Sequence, residues 1–371
     1  MVIKKTKMKI QIFSTHDLFD NRISRHIKTL LKYNYKVEYV NVSNSNENDF
    51  ELREKIYFYH IKEAYIKSNI KGVFKSFISM LIFLKNGNAD IVHIHDPLLI
   101  PLLYYAKHLG KGTVYDKHEC YEKLKGVNSK IGTYFEKVFK KYIDAIVYVN
   151  EQQFSYINSL GYKIIKMIPN YQSITSFNIV CDSNPGDIVT IIYIGALSEK
   201  SRNILLMLDV MEMVLEKMDL VRIVLGGKAV EENIKNKIDI LVNKNRRFEY
   251  RGVMKYSDVI DTTTKSDIGL YFVKDIPNNY LSSPNKIYEY MIAGLVLIGM
   301  GKFTHSQEID GYAGKIFPFE SQKEDIVSYI CSLIKNKTKM KEMKSNAKKI
   351  GLKYTWESVE YLYKEVYDNI D

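Results

Sequence analysis

The sequence has few cysteines, no long apolar run and no tandem repeat. Its three cysteines, Cys120, Cys181 and Cys331, lie far apart and have no metal-binding spacing, which favours a reducing cytoplasm. The longest apolar stretches, such as SMLIFL and AGLVLIGMG, are much shorter than the roughly 20 residues of a membrane-spanning helix. The basic first residues run directly into a strand pattern, without the apolar segment of a signal peptide. We therefore expect neither a secreted nor a membrane-spanning protein.

The net charge is confined to the first half of the chain. The 371 residues include 54 Lys+Arg and 43 Asp+Glu, a net charge of +11. Residues 1–172 hold 27 basic and 16 acidic side chains, so their net charge is +11, whereas residues 173–371 hold 27 of each. A one-sided positive field predicts an anionic partner, such as a membrane surface, a phosphorylated lipid or nucleic acid. An AT-rich genome would also enrich lysine, but it would not favour one half.

The order of strand and helix patterns predicts two α/β domains. The chain is too long for one core and has the length of two domains. Strand patterns alternate with amphipathic helix patterns in two series, and a polar stretch near residues 173–187 separates them. Such alternation is typical of parallel sheets with crossover helices. We expect two doubly wound, Rossmann-like domains, residues 1–172 and 173–354, followed by a helix in residues 355–371.

The stretch SSPNKIYEYMIAGLVLIG places two charged side chains, Lys286 and Glu289, in an otherwise apolar helix and strand. Ser283 followed by Pro284 is a helix start signal, because a hydroxyl can cap the helix and proline suits its first position. Gly294 can end the helix before the next strand. The stretch is therefore predicted to be a loop, helix and strand of a parallel sheet, whose ligands bind beyond the carboxyl ends of the strands.

The start of this helix suits a phosphate, because its free N–H groups and positive dipole end attract anions. Ser282, Ser283 and Lys286 would add two hydroxyls and a positive charge. Glu289 lies about 7.5 Å further along the axis at ~1.5 Å per residue, where its carboxylate could accept hydrogen bonds from the diol of a ribose. We interpret the segment as a site for a nucleoside diphosphate. The alternative is that Glu289 is a solvated or salt-bridged surface residue.

The same stretch resembles the nucleotide-sugar signature of GT-B glycosyltransferases, especially glycosyltransferase family 4 and its polysaccharide and lipopolysaccharide relatives. Five other segments match this family in the right order: VHIHDP, VYDKHE, IPNY, YIGALSEKSRN and RGVMKYSDVIDTTTKSDIGL. The resemblance covers nearly the whole chain. It implies a GT-B fold with an interdomain cleft, a C-terminal helix that crosses back to the first domain, and a donor ribose held by Glu289.

The sequence departs from the family pattern at three places. Family members often have an additional glutamate near the donor sugar, and the corresponding residue here is Leu281. The N-terminal glycine-rich loop is replaced by STHDLFDNRISR. After Gly195, the usual arginine is Ala196, and the expected lysine is represented only by the nearby Lys200 and Arg202. The resemblance thus implies that Gly195, with Lys200 or Arg202, contributes to binding the donor diphosphate.

The resemblance also implies a histidine near the reacting sugar, and this position falls on His118. It could hydrogen-bond the donor or the acceptor, orient a phosphate or act as a general base, and a purely structural role is the alternative. Asp116 and Glu119 flank it, and either carboxylate could be the base if the enzyme inverts. Retaining relatives are thought to use the donor phosphate instead. Arg22 and Arg25 begin the first helix, where they could meet a phosphate or remain solvated.

Neither a metal nor a cofactor is expected. His93 and His95 alternate along one strand beside Asp96, but no third ligand has local spacing, so a structural role is favoured. The sequence also has no Asp-x-Asp pair, and a nucleotide-sugar is a substrate rather than a cofactor. Residues 70–85 combine apolar side chains with lysines, which fits a crossover helix packed on the sheet better than a helix on a membrane surface.

These observations and the resemblance together predict a retaining, metal-independent glycosyltransferase of bacterial cell-surface polysaccharide synthesis, such as lipopolysaccharide or capsule. A UDP-sugar, or else a GDP-sugar, would bind the C-terminal half. A glycan or lipid-linked glycan acceptor would bind the basic N-terminal half, in the cytoplasm or at the inner face of the plasma membrane. The alternatives are a nucleotide-sugar epimerase or sugar phosphorylase on the same fold. A non-enzymatic nucleic-acid-binding protein is less favoured, because no recognised motif is present.

Overall fold

The protein consists of two compact units: Met1–Asn170 together with Val359–Asp371, and Tyr171–Ser358. The computed structural model describes residues 8–18, 20–41, 50–61, 70–177, 188–276, 279 and 284–370. Each unit is built on one parallel sheet with crossover helices, which confirms the predicted fold class. The sequence placed the unit boundaries after residues 172 and 354, whereas the structure has them after residues 170 and 358.

The first unit contains a seven-stranded parallel sheet. Its strands are β1 (Lys9–Ser14), β2 (Lys36–Asn41), β3 (Tyr57–His60), β4 (Ile91–Ile94), β5 (Gly112–Lys117), β6 (Ala145–Tyr148) and β7 (Ile164–Met167). The helices between them are α1 (Asn21–Lys32), α2 (Phe50–Arg53), α3 (Ile70–Asn86), α4 (Ile100–His108), α5 (Val127–Val138) and α6 (Phe154–Leu160). The strand order is β3-β2-β1-β4-β5-β6-β7.

Helix α1 has the apolar stripe that the sequence predicted. Ile23, Ile27 and Leu30 are fully buried against the sheet, and Leu31 is half-buried. The carboxylate of Asp20 caps the helix by accepting hydrogen bonds from the first backbone N–H groups. The cap and the stripe together fix where this helix starts and which of its faces points toward the strands.

The second unit contains a six-stranded parallel sheet. Its strands are β8 (Val189–Ile194), β9 (Val221–Gly226), β10 (Phe248–Tyr250), β11 (Ile268–Phe272), β12 (Val296–Met300) and β13 (Gly314–Phe317). Its helices are α7 (Ile204–Lys217), α8 (Glu232–Lys244), α9 (Tyr256–Thr264), α10 (Asn285–Ala293), α11 (Ser306–Ile309), α12 (Lys323–Lys335) and α13 (Lys337–Lys353). The strand order is β10-β9-β8-β11-β12-β13.

Helix α10 is held closely by its neighbours. A Cβ atom at Gly351 of α13 would lie 2.5 Å from the backbone nitrogen of Ile292, so only glycine allows this approach. The helix ends at Gly294, whose φ of 75° is left-handed, as predicted. It begins one residue later than predicted, because Pro284 is its N-cap rather than its first residue. This packing fixes the positions of the charged side chains that α10 carries.

The last helix, α14 (Tyr361–Asp368), belongs to the first unit, which confirms the predicted return of the chain. Tyr363 and Tyr367 are fully buried there. Just before the helix, Glu360 accepts a hydrogen bond of 3.1 Å from Thr29 of α1. The C-terminal residues are therefore part of the core of the first unit.

Helix α3 covers the whole of residues 70–85, the segment that was compared with a helix on a membrane surface. It buries Met80 and Leu84 completely, as a crossover helix does, and exposes Ile78 and Ile82. None of the helices within the described ranges is both long enough and apolar enough to cross a membrane.

Candidate active site

Each sheet has a point where the direction of its crossovers reverses. In the first unit this point lies between β1 and β4, and in the second it lies between β8 and β11. Ligands of doubly wound sheets bind outside the carboxyl ends of the strands at such points. Charged and polar side chains collect at both places, and we describe each unit separately.

In the second unit, the end of β8 and the start of α10 meet at Gly195 and Lys286. A Cβ atom at Gly195 would overlap the Lys286 amine and lie 2.7 Å from its Cε, so residue 195 must be glycine for Lys286 to occupy this place. The amine also lies 5.4 Å from the ring centroid of Tyr193 on β8, a cation–π contact. Gly195 thus leaves the space that the lysine occupies, and its role in binding the donor stays a prediction.

The charge on Lys286 is only weakly stabilised. Burial, opposed by the charge of Glu289 and assisted by that of Arg202, lowers the pKa of its amine to about 8. Glu289 lies one turn further along α10 and is only 8% exposed. Glu289 is therefore not a solvated surface residue. A poorly hydrated ammonium group next to a second cation is well suited to bind an anion.

Arg202 supplies that second cation. Its guanidinium group stacks over the ring of Tyr271 at 5.2 Å, and its Nη1 donates a hydrogen bond of 2.7 Å to Asn279 Oδ1. Lys200, the other predicted cation, is exposed. Arg202, rather than Lys200, therefore reaches the surroundings of Lys286. Ser282, Ser283 and Leu281 lie outside the described residues.

Tyr271 is a further candidate that the sequence pattern did not predict. Its ring is fully buried on β11, and its hydroxyl has no hydrogen-bond partner among the described residues. A buried hydroxyl without a partner is rare in proteins and needs an explanation, such as a bound ligand or water. The only signal in the sequence was its place near the end of an apolar strand, which does not distinguish it from a core tyrosine.

In the first unit, Asp116 on β5 lies at the centre of a buried polar cluster. Arg22 of α1 donates to both of its oxygens, with distances of 2.8 and 3.1 Å, and the Tyr363 hydroxyl donates at 2.7 Å. Although burial alone would raise the pKa of Asp116, the Arg22 guanidinium holds that pKa well below its usual range. Arg22 and Arg25 are both buried, so the alternative that they remain solvated is wrong.

A chain of hydrogen bonds runs from His118 into this cluster. The Nε2 atom of His118 lies 3.0 Å from His95 Nδ1, and His95 Nε2 lies 3.1 Å from His26 Nδ1. His26 Nε2 lies 2.7 Å from the Tyr367 hydroxyl, which in turn is 2.8 Å from His93 Nδ1. A neutral imidazole has one donor and one acceptor nitrogen. All five groups must therefore point their protons in the same direction along the chain.

The carboxylate of Asp116 decides between the two directions. Its oxygens lie 3.9 Å from His93 Nε2, 3.5 Å from His95 Nδ1 and 3.7 Å from His118 Nε2. If every histidine carries its proton on Nε2, two N–H groups and one lone pair face the carboxylate. If every histidine carries its proton on Nδ1 instead, the carboxylate faces one N–H group and two lone pairs. The first arrangement is electrostatically favoured, and it leaves Nδ1 of His118 as a hydrogen-bond acceptor.

His118 is the member of this chain that reaches the surface. Its side chain is 17% exposed, whereas His93, His95 and Asp116 are fully buried. Burial lowers the pKa of His118, so the imidazole is neutral at pH 7. Glu119 is the exposed carboxylate beside it. His118 thus reaches the surface as a neutral imidazole, whose Nδ1 can accept a hydrogen bond or a proton.

His16, which the sequence pattern did not predict as a site residue, lies beside His118. The two rings stack with their centroids 6.0 Å apart. A hydrogen bond to Asp96 raises the pKa of His16. Asp96 also accepts hydrogen bonds from the backbone and hydroxyl of Thr15, at 2.8 and 2.9 Å. The carboxyl ends of β1, β4 and β5 therefore present two neighbouring histidines, one with a raised pKa (His16) and one with a lowered pKa (His118).

The histidines also form groups with the geometry of metal ligands. His26, His93 and His95 can each direct one nitrogen to within 4.8 Å of the others, and a second such group surrounds Asp116. The sequence shows no third ligand near His93 and His95, because His26 comes from α1, far away in the chain. Most of these nitrogens already belong to the hydrogen-bond chain, and the positive charge of Arg22 opposes another cation. The cluster therefore fits a hydrogen-bond network better than a metal site.

Comparison with known proteins supports the family resemblance. Residues 188–336, all in the second unit, match the family described as glycosyl transferases group 1. No curated protein sequence is significantly similar to the chain. The family match confirms the resemblance to group 1 glycosyltransferases on the part of the chain that carries Gly195, Arg202, Lys286 and Glu289.

Solved structures extend this similarity in fold to the whole chain. Sucrose-phosphate synthase from Thermosynechococcus elongatus has a TM-score of 0.74 at 13% identity, with 98% of both chains covered. Anabaena HepE in complex with UDP-glucose has a TM-score of 0.71 at 14% identity, covering 98% of this chain and all of the other. A Listeria monocytogenes protein described as a UDP-N-acetylglucosamine 2-epimerase has a TM-score of 0.70 at 12% identity, with 98% of both covered. The fold is that of GT-B glycosyltransferases.

Proposed function

We propose that the protein transfers a sugar from a nucleoside diphosphate donor to a glycan or lipid-linked glycan acceptor, in the synthesis of a cell-surface polysaccharide. The observation that carries this proposal is the grouping of Lys286, Arg202 and Glu289 at the switch point between β8 and β11. Two cations and a carboxylate in this order match the two ends of a nucleoside diphosphate: its phosphates and its ribose.

In this proposal, Lys286 and Arg202 bind the diphosphate and stabilise the negative charge that develops on it as the sugar leaves. The Tyr271 hydroxyl donates to a phosphate oxygen, and Ser282 and Ser283 add hydroxyls at the start of α10. Glu289 accepts hydrogen bonds from the ribose. Lys200, which is exposed, has a peripheral role. HepE was crystallised with UDP-glucose, which supports a UDP-sugar as the donor to test first and a GDP-sugar as the second.

In the first unit, we propose that His118 contacts the reacting sugar or the acceptor through Nδ1. Asp116 does not reach the surface, so we assign it to positioning the histidine chain together with Arg22. Arg25 donates to Asn170 at the end of the first unit and would orient an acceptor phosphate. For a retaining reaction no protein base is needed. If the enzyme inverts, the exposed Glu119 is a better base than Asp116. Partial loss of hydration raises the pKa of the Glu119 carboxyl, whereas the pKa of Asp116 is held well below its usual range.

The proposal includes metal-independent catalysis at the inner face of the plasma membrane or in the cytoplasm. The positive charge of Lys286 and Arg202 takes the place that a divalent cation would have at the leaving diphosphate. The basic first half suits an acceptor carried on a lipid pyrophosphate. Addition of EDTA is expected to leave donor hydrolysis unchanged, and a loss of activity that Mg²⁺ restores would contradict this part of the proposal.

A panel of nucleotides and nucleotide-sugars tests the donor site. UDP or GDP should raise the melting temperature of the wild-type protein, and the matching sugar nucleotide should be slowly hydrolysed without acceptor. Glu289→Ala should remove most of the shift, whereas Lys200→Ala should retain it. Absence of a shift with every nucleoside diphosphate would contradict the donor site itself.

An epimerase is the second candidate, because the Listeria protein has the same fold over nearly its entire length. An epimerase would convert UDP-N-acetylglucosamine in the absence of any acceptor. A sugar phosphorylase would instead require inorganic phosphate. Product analysis by NMR, with and without phosphate, separates both from a transferase that only hydrolyses its donor slowly.

A further inference from the structure

Helix α5 carries a stripe of apolar side chains that faces solvent. Val127, Ile131, Tyr134 and Val138 are between 38 and 72% exposed. Their spacing of four, three and four residues places them on one side of a helix. Single exposed apolar residues are common, but four in a row on one helix face mark an interaction surface.

The opposite side of α5 explains why the stripe cannot turn inward. A Cβ atom at Gly132 would lie 2.9 Å from the ring of Pro97, so the helix packs closely there. Glu136 is fully buried and accepts hydrogen bonds from Lys117 at 2.6 Å and Tyr115 at 2.9 Å. These contacts fix the rotation of the helix about its axis, and they leave the apolar stripe on the outside.

Exposed lysines lie on α5 and in the segments directly before and after it. Six of them lie within residues 123–141: Lys123, Lys125, Lys130, Lys137, Lys140 and Lys141. Glu136 is the only carboxylate in this segment, and both it and the adjacent Glu122 pair with the buried Lys117, at 2.6 and 3.1 Å. The lysine charges are therefore not neutralised by these carboxylates.

We propose that this surface, the exposed side of α5 together with the six lysines of residues 123–141, binds an anionic lipid bilayer. Valine, isoleucine and tyrosine side chains would enter the boundary between headgroups and acyl chains, while the lysines reach the lipid phosphates. A second copy of the chain is the other obvious occupant. However, a two-fold interface would place the same six lysines against each other, which charge repulsion opposes.

Among the described residues of the first unit, Ile78 and Ile82 on α3 form a shorter exposed apolar pair, between Lys75 and Lys85. That pair is half as long as the stripe on α5. The proposed surface therefore lies on a different helix from the one that the sequence pattern suggested. Membrane docking through α5 rests on the membrane location in the proposed function, but vesicle binding is measured without donor or acceptor, so its failure would leave the proposed sugar transfer intact.

Co-sedimentation with vesicles tests the proposal on the full-length protein. Wild-type protein should bind vesicles of phosphatidylcholine mixed with phosphatidylglycerol, and binding should weaken in high salt. Ile131→Asp/Tyr134→Asp and Lys130→Glu/Lys137→Glu should each bind about tenfold or more weakly, because each lysine near an anionic surface contributes substantially to binding. All variants should keep the melting temperature and the circular dichroism spectrum of the wild type, which shows that they are folded.

Helix α8 provides a matched control in the second unit. Its Ile240 and Val242 are 57 and 41% exposed, but its Lys237 and Lys244 are paired with Glu212. Ile240→Asp/Val242→Asp should bind vesicles as the wild type does. Equal binding to pure phosphatidylcholine, no binding at all, or unchanged binding of both α5 variants would overturn the proposal. A wild-type dimer that the α5 substitutions dissociate would also overturn it, in favour of a self-interface.

Discussion

The amine of Lys286 lies where a side chain of residue 195 would begin, so the glycine and the lysine depend on each other. A Cβ atom at Gly195 would overlap Nζ and lie 2.7 Å from Cε of the lysine. The φ of 157° at Gly195 also disfavours other residues. The position after β8 is thus reserved for a cation that comes from α10, much later in the chain.

Gly195→Ala is expected to displace Lys286 and to weaken UDP binding about tenfold, which corresponds to ~1.4 kcal/mol. Isothermal titration calorimetry with UDP measures this change. Gly252→Ala is the control, because Gly252 also has a positive φ, 61°, but a Cβ atom there would have no other atom within 4 Å. Both variants introduce backbone strain, and only the first should lose affinity. If Gly195→Ala and Gly252→Ala bind UDP with equal affinity, Lys286 does not bind the nucleotide.

The affinity for UDP should also fall as the pH rises from 7 to 9. Burial lowers the pKa of Lys286 to about 8, so the free protein loses this positive charge within that range. One pH unit above the pKa, only about a tenth of the amines are charged, and the affinity should decrease about tenfold. Lys286→Arg keeps its charge throughout the range. The variant should show a flat pH profile, whatever its absolute affinity, and a profile like that of the wild type would rule out Lys286 as the titrating group.

The role of Glu289 can be tested by removing the ribose hydroxyls instead of the side chain alone. Wild-type protein should bind UDP about tenfold or more tightly than 2′,3′-dideoxy-UDP, because a buried carboxylate that loses its partners is costly. Glu289→Ala should bind both nucleotides equally weakly. A variant that still discriminates between them would place the ribose elsewhere. Glu308→Ala is the control, since Glu308 pairs with Tyr354 and Lys353 on the same unit.

Much of the fold could be predicted because it depends on local patterns. The stripe of α1, the end of α10 at Gly294 and most strands follow from spacing, capping and apolar runs. Strands β3 and β13 were not predicted. Each has only four residues, and their burial is partial, so their patterns are too short and too weak.

The donor site was partly predictable, whereas the histidine cluster was not. Lys286 and Glu289 stand on one helix, and their charge is unusual in an apolar segment. In contrast, Arg22 and Asp116 are 94 residues apart, and Tyr363 is 247 residues from Asp116. No local spacing reveals such pairs, so each arginine or tyrosine taken alone fits a surface or core position equally well.

The last prediction concerns the direction of the hydrogen-bond chain that ends at His118. In the wild type at pH 7, the ¹⁵N resonances of the His118 side chain should show a proton on Nε2 and a bare Nδ1. Because burial lowers the pKa of His118, this state should persist until the pH falls below the usual histidine range. A proton on Nδ1 at pH 7 would mean that the chain runs in the opposite direction.

Tyr367→Phe interrupts this chain, because the hydroxyl of Tyr367 links His26 to His93. We expect His118 to populate both tautomers and kcat to fall several-fold with little change in KM, since the positioned acceptor is present only part of the time. The stability cost should be about 1–2 kcal/mol, the usual cost of a lost buried hydrogen bond. Tyr35→Phe is the control, because the Tyr35 hydroxyl lies 3.5 Å from Asp368, outside the chain. If Tyr367→Phe changes stability alone and leaves both the tautomer of His118 and kcat as they were, the chain has only a structural role.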